Sequence, residues 1–350
     1  MDDPLIWVRA IHFGATMLVM GGVIFDAFIA APAFRATAAP VGARVRSRLA
    51  VLAWVGLAVT VLSGAAWLVL LSERMSDLSF AEVFAQGTLW TVLSETDFGV
   101  DWGVRLVLAG LLAAVWAWGR VSHSYHRRSG AIAVAAGLVG TLAWAGHAAA
   151  SAGLDGAVHL TADILHLIAA AAWFGSLIPL ALLLRAARGV PEESAVAAAR
   201  TAVLRFSQLG IASVVTLAAT GLVNTWVLAG SLTALVATDY GRLLMLKVAL
   251  FLVMLLFAAI NRLWLTPRLV HAPTAAVATD ALRRIERNSL IEAGLGTIII
   301  AIVGLLGTLP PGLEDAPIVD IARICWCVPG CGLEHFPMRL RHSPSPGDDE

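Results

Sequence analysis

Eight long apolar runs, separated by short polar clusters, dominate this chain; they lie near residues 5–30, 49–71, 103–119, 130–150, 160–184, 206–229, 242–264 and 290–309. A helix needs roughly 20 mostly apolar residues to cross hydrocarbon, because its backbone must satisfy its own hydrogen bonds there. The runs therefore predict an all-α polytopic membrane protein with eight transmembrane helices. The composition agrees, since 59% of the 350 residues are hydrophobic and 14% are charged, against about 25% charged in a soluble domain. The surroundings are a lipid bilayer. A formal net charge of +0 gives no basic footprint, so nucleic acid is not an expected partner. Three cysteines are too few for a disulfide-stapled module. The first run follows Asp2 and Asp3 and contains Arg9 and His12, which are the wrong flanks for a signal peptide; it reads as a retained helix.

Loop charge sets the expected orientation. Arg35, Arg44, Arg46 and Arg48 follow the first run, Arg120, Arg127 and Arg128 the third, Arg185, Arg188, Arg200 and Arg205 the fifth, and Arg262, Arg268, Arg283, Arg284 and Arg287 the seventh. The second loop instead carries Glu73, Asp77, Glu82, Glu95, Asp97 and Asp101 against Arg74. The basic loops alternate with acidic or neutral ones, so both termini are expected on the outer side.

The chain also repeats itself. Residues 96–120 and 238–262 both read Thr-Asp-aromatic-Gly, then a base, then Arg, which aligns Arg105 with Lys247 and Arg120 with Arg262. Arg48 and Arg205 each stand sixteen residues before a glycine, Gly64 or Gly221, that follows Ser63 or Thr220. His12 stands nine residues before Gly21, and His166 nine before Gly175. The fourth and eighth runs align poorly. Two halves of four helices each share orientation, as in parallel-repeat transporters related by an axis along the membrane normal. The expected organisation is one transmembrane domain over 1–312, with half-repeats roughly at 5–150 and 160–309, and a flexible tail over 313–350 on the outer side.

Polar groups at membrane depth are functional candidates. His12, His147, His159 and His166 all fall toward the outer ends of their runs. His159, Asp163 and His166, at i, i+4 and i+7, share one helical stripe. Imidazole suits copper, zinc and iron, and a carboxylate can ligate or orient it. His159 and His166 are about 10.5 Å apart along a helix axis, so a shared ion needs ligands from another helix. If the pseudo-axis passes between the first and fifth helices, His12 and His166 would face each other, with His147 completing the set. Met17 and Met20 lie off that stripe and read as packing. Arg105 and Lys247 are expected to pair with acids such as Asp97 and Asp239. Asp26, Glu292 and Asn261-Arg262 lie near the inner ends of their runs, as gate groups or interfacial anchors. Cys325, Cys327, Cys331 and His335 in the tail have weak metal-ligand spacing. No nucleophile elbow, phosphate loop or dinucleotide fingerprint is visible, so catalysis is not expected.

The run Gly146-His147-Ala148, then His159, Asp163 and His166, then Trp173 and Gly175, resembles the bacterial copper resistance protein D family. So do Arg205-Phe206-Ser207, Thr220-Gly221, Thr238-Asp239-Tyr240-Gly241-Arg242, Lys247 and Asn261-Arg262. The resemblance covers nearly all of 5–312 and leaves out the cysteine-bearing tail. It implies an inner-membrane protein handling copper, often alongside a small periplasmic copper-carrier protein; the loop charges then put both termini on the periplasmic side. It also implies copper received by His12, His147, His159, Asp163 and His166 and passed inward. The alternative reading is a haem-b electron-transfer protein with His12 and His166 as axial ligands. A third is a copper-presenting assembly factor that does not transport.

Overall fold

The computed structural model describes residues 3–35, 40–118, 125–145, 153–190, 192–229 and 232–309. His147 and the cysteine-bearing tail lie outside them. Eight helices are long and apolar enough to cross a membrane: α1 (Pro4–Arg35), α2 (Val41–Ser76), α3 (Asp97–Trp118), α4 (Arg128–Ala145), α5 (Gly156–Arg188), α6 (Glu193–Val227), α7 (Asp239–Val270) and α8 (Ala275–Leu306). The described residues include no strand. The chain is an all-α polytopic membrane protein.

Most of these helices outrun the apolar stretches. Arg44, Arg46 and Arg48 lie within α2, Arg185 and Arg188 within α5, Arg200 and Arg205 within α6, and Arg283, Arg284 and Arg287 within α8. Segments expected as inner loops are therefore helical turns, because a started helix keeps gaining one bond per residue after it leaves the hydrocarbon. At the opposite end, α1 opens with Pro4 at its first position, and the Asp3 carboxylate accepts from the Leu5 N–H at 2.9 Å. Two short helices, Phe80–Ala85 and Thr88–Glu95, lie in the long connection between α2 and α3.

Helices α1 and α5 form the centre, with 61% and 72% of their apolar stretches buried, against 11% for α7. The neighbours repeat around them. Helix α1 packs on α2 and α4, and α5 packs on α6 and α8; α1 also meets α8, as α5 meets α4. The two central helices cross at Gly21 and Gly175. A Cβ on Gly21 would land on the Gly175 backbone, and one on Gly175 would land on the Met17 carbonyl. Small residues let helix backbones approach this closely in lipid. Next to the crossing, the Ser176 hydroxyl donates to the Gly21 carbonyl at 3.0 Å. Glycines standing at matched places in the sequence thus touch at the centre.

Most of the core is apolar. Met17 and Met20 pack into it, together with Val19, Leu138 and Ala171. The outward faces are apolar too: Leu62, Val107, Val215, Leu222, Leu252 and Leu256 are all exposed. A soluble protein would not tolerate so much contiguous apolar surface; here it faces lipid.

Candidate functional site

His12 and His166 stand nine residues outward of the crossing glycines, about 13 Å at 1.5 Å per residue. Both rings are fixed the same way. His12 Nδ1 lies 3.0 Å from the Thr60 carbonyl and 3.1 Å from Ser63 Oγ on α2. The carbonyl can only accept, and the Ser63 hydroxyl donates to the Val59 carbonyl at 2.6 Å. Nδ1 therefore carries the proton. His166 Nδ1 lies 3.0 Å from Thr220 Oγ1 on α6, and that hydroxyl donates to the Thr216 carbonyl at 2.7 Å. Here again Nδ1–H donates. In a neutral imidazole this leaves the lone pair on Nε2, the arrangement that a second-shell partner imposes on a metal-binding histidine. His12 Nε2 is buried and has no hydrogen-bond partner among the described residues.

The surroundings of the two rings differ. His12 sits among Trp67 and Trp102, with ring centroids at 5.6 and 6.2 Å. Gly64 makes this possible, because a Cβ there would strike the Trp102 ring. Two arginines flank the group, their guanidinium carbons 5.1 Å (Arg9) and 5.3 Å (Arg105) from the Trp67 centroid. Arg9 donates to the Gly307 carbonyl at 2.9 Å, closing the end of α8. Arg105 is 2% exposed, bridges Asp101 at 2.6 Å, and donates to the Thr141 carbonyl at 3.0 Å.

His166 has no arginine neighbour of this kind. Asp163 lies one turn outward and accepts from Asn224 Nδ2 at 3.2 Å. Lys247 is half-buried on α7. Gly221 leaves ordinary room, its Cβ position 3.6 Å from His166 Cε1. His159, two turns outward, is 2% exposed, and its Nδ1 is buried with no partner among the described residues.

Some sequence expectations need correction. Arg105 pairs with Asp101, not Asp97, and Asp239 pairs with Arg242 at 3.4 Å, not with Lys247. The reason is helical spacing: eight residues separate Asp97 from Arg105, too far along an axis, whereas four bring Asp101 onto the adjacent turn. Each ring is held through Nδ1 against the second helix of its own half. Among the described residues, no three His, Cys, Asp or Glu side chains gather as a metal-holding group. Asp163 and His166 remain neighbours on one stripe, while His12 is apart from them.

The sequence reading missed Asn224, Trp67 and the role of Asp101, although the repeat contains the signal. Arg9 and Asp163 each stand three residues before their histidine, and Trp67 and Asn224 each three after their glycine. The position four before Arg105 is Asp101, and four before Lys247 it is Leu243. Carrying the alignment to these positions shows that the acid has moved from the third helix of one half to the first helix of the other.

Comparison with known proteins places these features in context. A family model described as copper resistance protein D matches residues 200–306, and one described as copper resistance protein D-like, N-terminal domain, matches residues 1–157. Copper resistance protein D of Pseudomonas syringae pv. tomato is 30% identical over 328 residues, which is 90% of this chain and 99% of that protein. Inner membrane protein YebZ of Escherichia coli is 29% identical over 309 residues, covering 87% and 98% of the two chains. Copper transport protein CutJ of Bacillus subtilis is 30% identical over 183 residues, covering 52% of this chain and 30% of that protein.

Proposed function

Because the chain belongs to the copper resistance protein D family, we propose that it carries copper across the bacterial inner membrane, receiving it at the periplasmic face and moving it toward the cytoplasm. The arginines at the inner helix ends support termini on the periplasmic side. The relatives' names, copper resistance, inner membrane protein and copper transport, support the cargo and the location. A small periplasmic carrier protein would deliver the ion. The role is transport, not catalysis.

The observation that carries the proposal is the His166 corner. Thr220 holds Nδ1–H, so Nε2 is free for a metal, and the Asp163 carboxylate stands one turn away. His159 extends the same stripe, and His147, outside the described residues, is the further candidate ligand. His12 is the counterpart in the first half. Its arginine neighbours oppose a cation, so it serves the pathway secondarily. The alternative is a haem-b electron-transfer protein with His12 and His166 as axial ligands.

Copper uptake into proteoliposomes tests this directly. His166→Ala and Asp163→Ala should each abolish most uptake, and His12→Ala should reduce it less. Unchanged uptake in a folded His166→Ala variant would sink the assignment. A visible spectrum of the purified protein with a strong Soret band would support the haem alternative.

A further inference from the structure

A second buried polar cluster lies deeper, away from the histidines. Helix α8 presents Asn288, Ser289 and Glu292 on one stripe, and all three are buried, with Ser289 and Glu292 each 1% exposed. Asn261 on α7 reaches into the cluster. Its Nδ2 donates to Glu292 Oε1 at 2.9 Å, and its Oδ1 accepts from Asn288 Nδ2 at 2.9 Å. Two atoms are left over. Glu292 Oε2 and Ser289 Oγ are both buried with no hydrogen-bond partner among the described residues.

The placement is central. Gly296, one turn outward of Glu292 on α8, packs against the Phe174 ring, and Phe174 adjoins the Gly21–Gly175 crossing. Asn261 opens a π-helical turn, Asn261–Leu265, in α7. Such turns displace the regular ladder and often occur at functional positions. Here the turn leaves the Asn261 carbonyl accepting from Thr266 Oγ1 at 2.7 Å.

A carboxyl with one oxygen held by an amide and the other facing no donor is suited to carry a hydrogen on that second oxygen. A bare carboxylate there is a buried charge left half-compensated in hydrocarbon, which a proton on Oε2 relieves. The donor set of carboxyl, hydroxyl and amide oxygen is hard, so it does not match the soft ligands that copper(I) selects. The ionisable groups on the packed elements are engaged elsewhere. Arg188 bridges Glu286 at 2.8 Å, Arg262 donates to Ser207 at 2.6 Å, Arg200 to the Leu269 carbonyl at 3.0 Å, and Arg205 to the Phe28 carbonyl at 3.3 Å. Asp26 on α1 has interactions of its own.

We propose that Glu292, buried near the start of the apolar stretch of α8, is a proton-exchange site through which copper movement is coupled to protons. The coupling rests on the transport reading above; the exchangeable proton does not. In each cycle the O–H bond at Oε2 breaks, the electron pair stays on oxygen, and the proton passes to water; a proton from water later restores the acid. Asn261 is a positioning residue that holds Oε1 in place while Oε2 exchanges.

Two readouts test the proposal on the full-length protein in liposomes. Infrared spectra taken across a pH series should show a protonated-carboxyl band that titrates and that disappears in Glu292→Gln. Copper-driven pH change inside the vesicles, followed with a trapped dye, should be lost in the same variant while copper binding at the outer site persists. A band that does not titrate, or a copper-driven pH change that survives in Glu292→Gln, would overturn the proposal. Should Glu292→Gln not fold, Glu292→Asp keeps the acid, and its coupling should persist with a displaced pH profile; an unmoved profile would count against the site. If the wild type moves no copper at all, the transport reading fails, and the infrared band alone decides the proton site.

Discussion

The two halves hold the same histidine in the same way and then surround it with opposite chemistry. In the first half the ring is packed by Trp67 and Trp102 beside Arg9 and Arg105. In the second, Asp163 takes the place of Arg9 and Asn224 that of Trp67. The first half pairs its helix-three base with an acid on that same helix, Asp101, whereas the acid of the second half, Asp163, stands on α5. An acid and base on one helix lock each other and close the pocket with aromatic rings. In the second half the acid stands one turn from the histidine and accepts from Asn224. The repeat has therefore kept the scaffold of the corner twice and changed its charge between the halves.

The largest effect should come from the locked pair. Arg105→Met leaves the buried Asp101 carboxylate alone and is expected to cost about 3–5 kcal/mol, as breaking a buried ion pair does. The double change Asp101→Asn with Arg105→Met should recover most of the loss, and thermal unfolding in detergent reads both. Lys247→Met should destabilise less, because Asp163 keeps the Asn224 amide; equal losses in the two halves would break the comparison.

Next comes the central crossing. Gly175→Ala places a methyl group against the Met17 carbonyl, and overpacking of this kind costs about 1–3 kcal/mol. Gly21→Ala should match it, and a much smaller shift in Tm for either would mean that the crossing is looser than described.

The hydroxyls should separate the halves by function. Thr220→Val removes the acceptor that orients His166, so copper affinity should fall by about 10- to 100-fold, the usual cost of losing an outer-shell partner. Ser63→Ala should do much less, because the Thr60 carbonyl still accepts from His12. Metal titration of the two variants is the measurement, and a larger loss from Ser63→Ala would reverse the assignment of the two corners. Smallest of all, Asp239→Asn removes an exposed pair with Arg242 (side chains 85% and 63% exposed) and should leave Tm unchanged.

Much of the fold was legible because hydrocarbon permits so few solutions. A run of apolar residues long enough to cross must be a helix, so the eight spans followed from Leu, Val, Ala and Ile placement alone. Helix ends were less legible: nothing in the arginine clusters marks where a helix stops once it has left the bilayer. The candidate histidines were visible as isolated polar groups in apolar runs. Their partners were not, since Thr60, Ser63 and Thr220 read as ordinary helix residues until the packing of α2 on α1 and α6 on α5 brings them to the rings.

By itself, the sequence determined that the chain spans a membrane eight times, that its arginines lie mostly at one set of helix ends, and that His12–Gly21 is echoed by His166–Gly175. Periodicity, length and charge are local properties, and they can be read along a line. The tertiary structure decided which way each imidazole turns, that Asp101 and not Asp97 neutralises Arg105, and that Asn261 reaches across to Glu292 with one carboxyl oxygen left free. These depend on how helices rotate and cross, and close crossings such as Gly21 on Gly175 set that rotation between residues far apart in the chain.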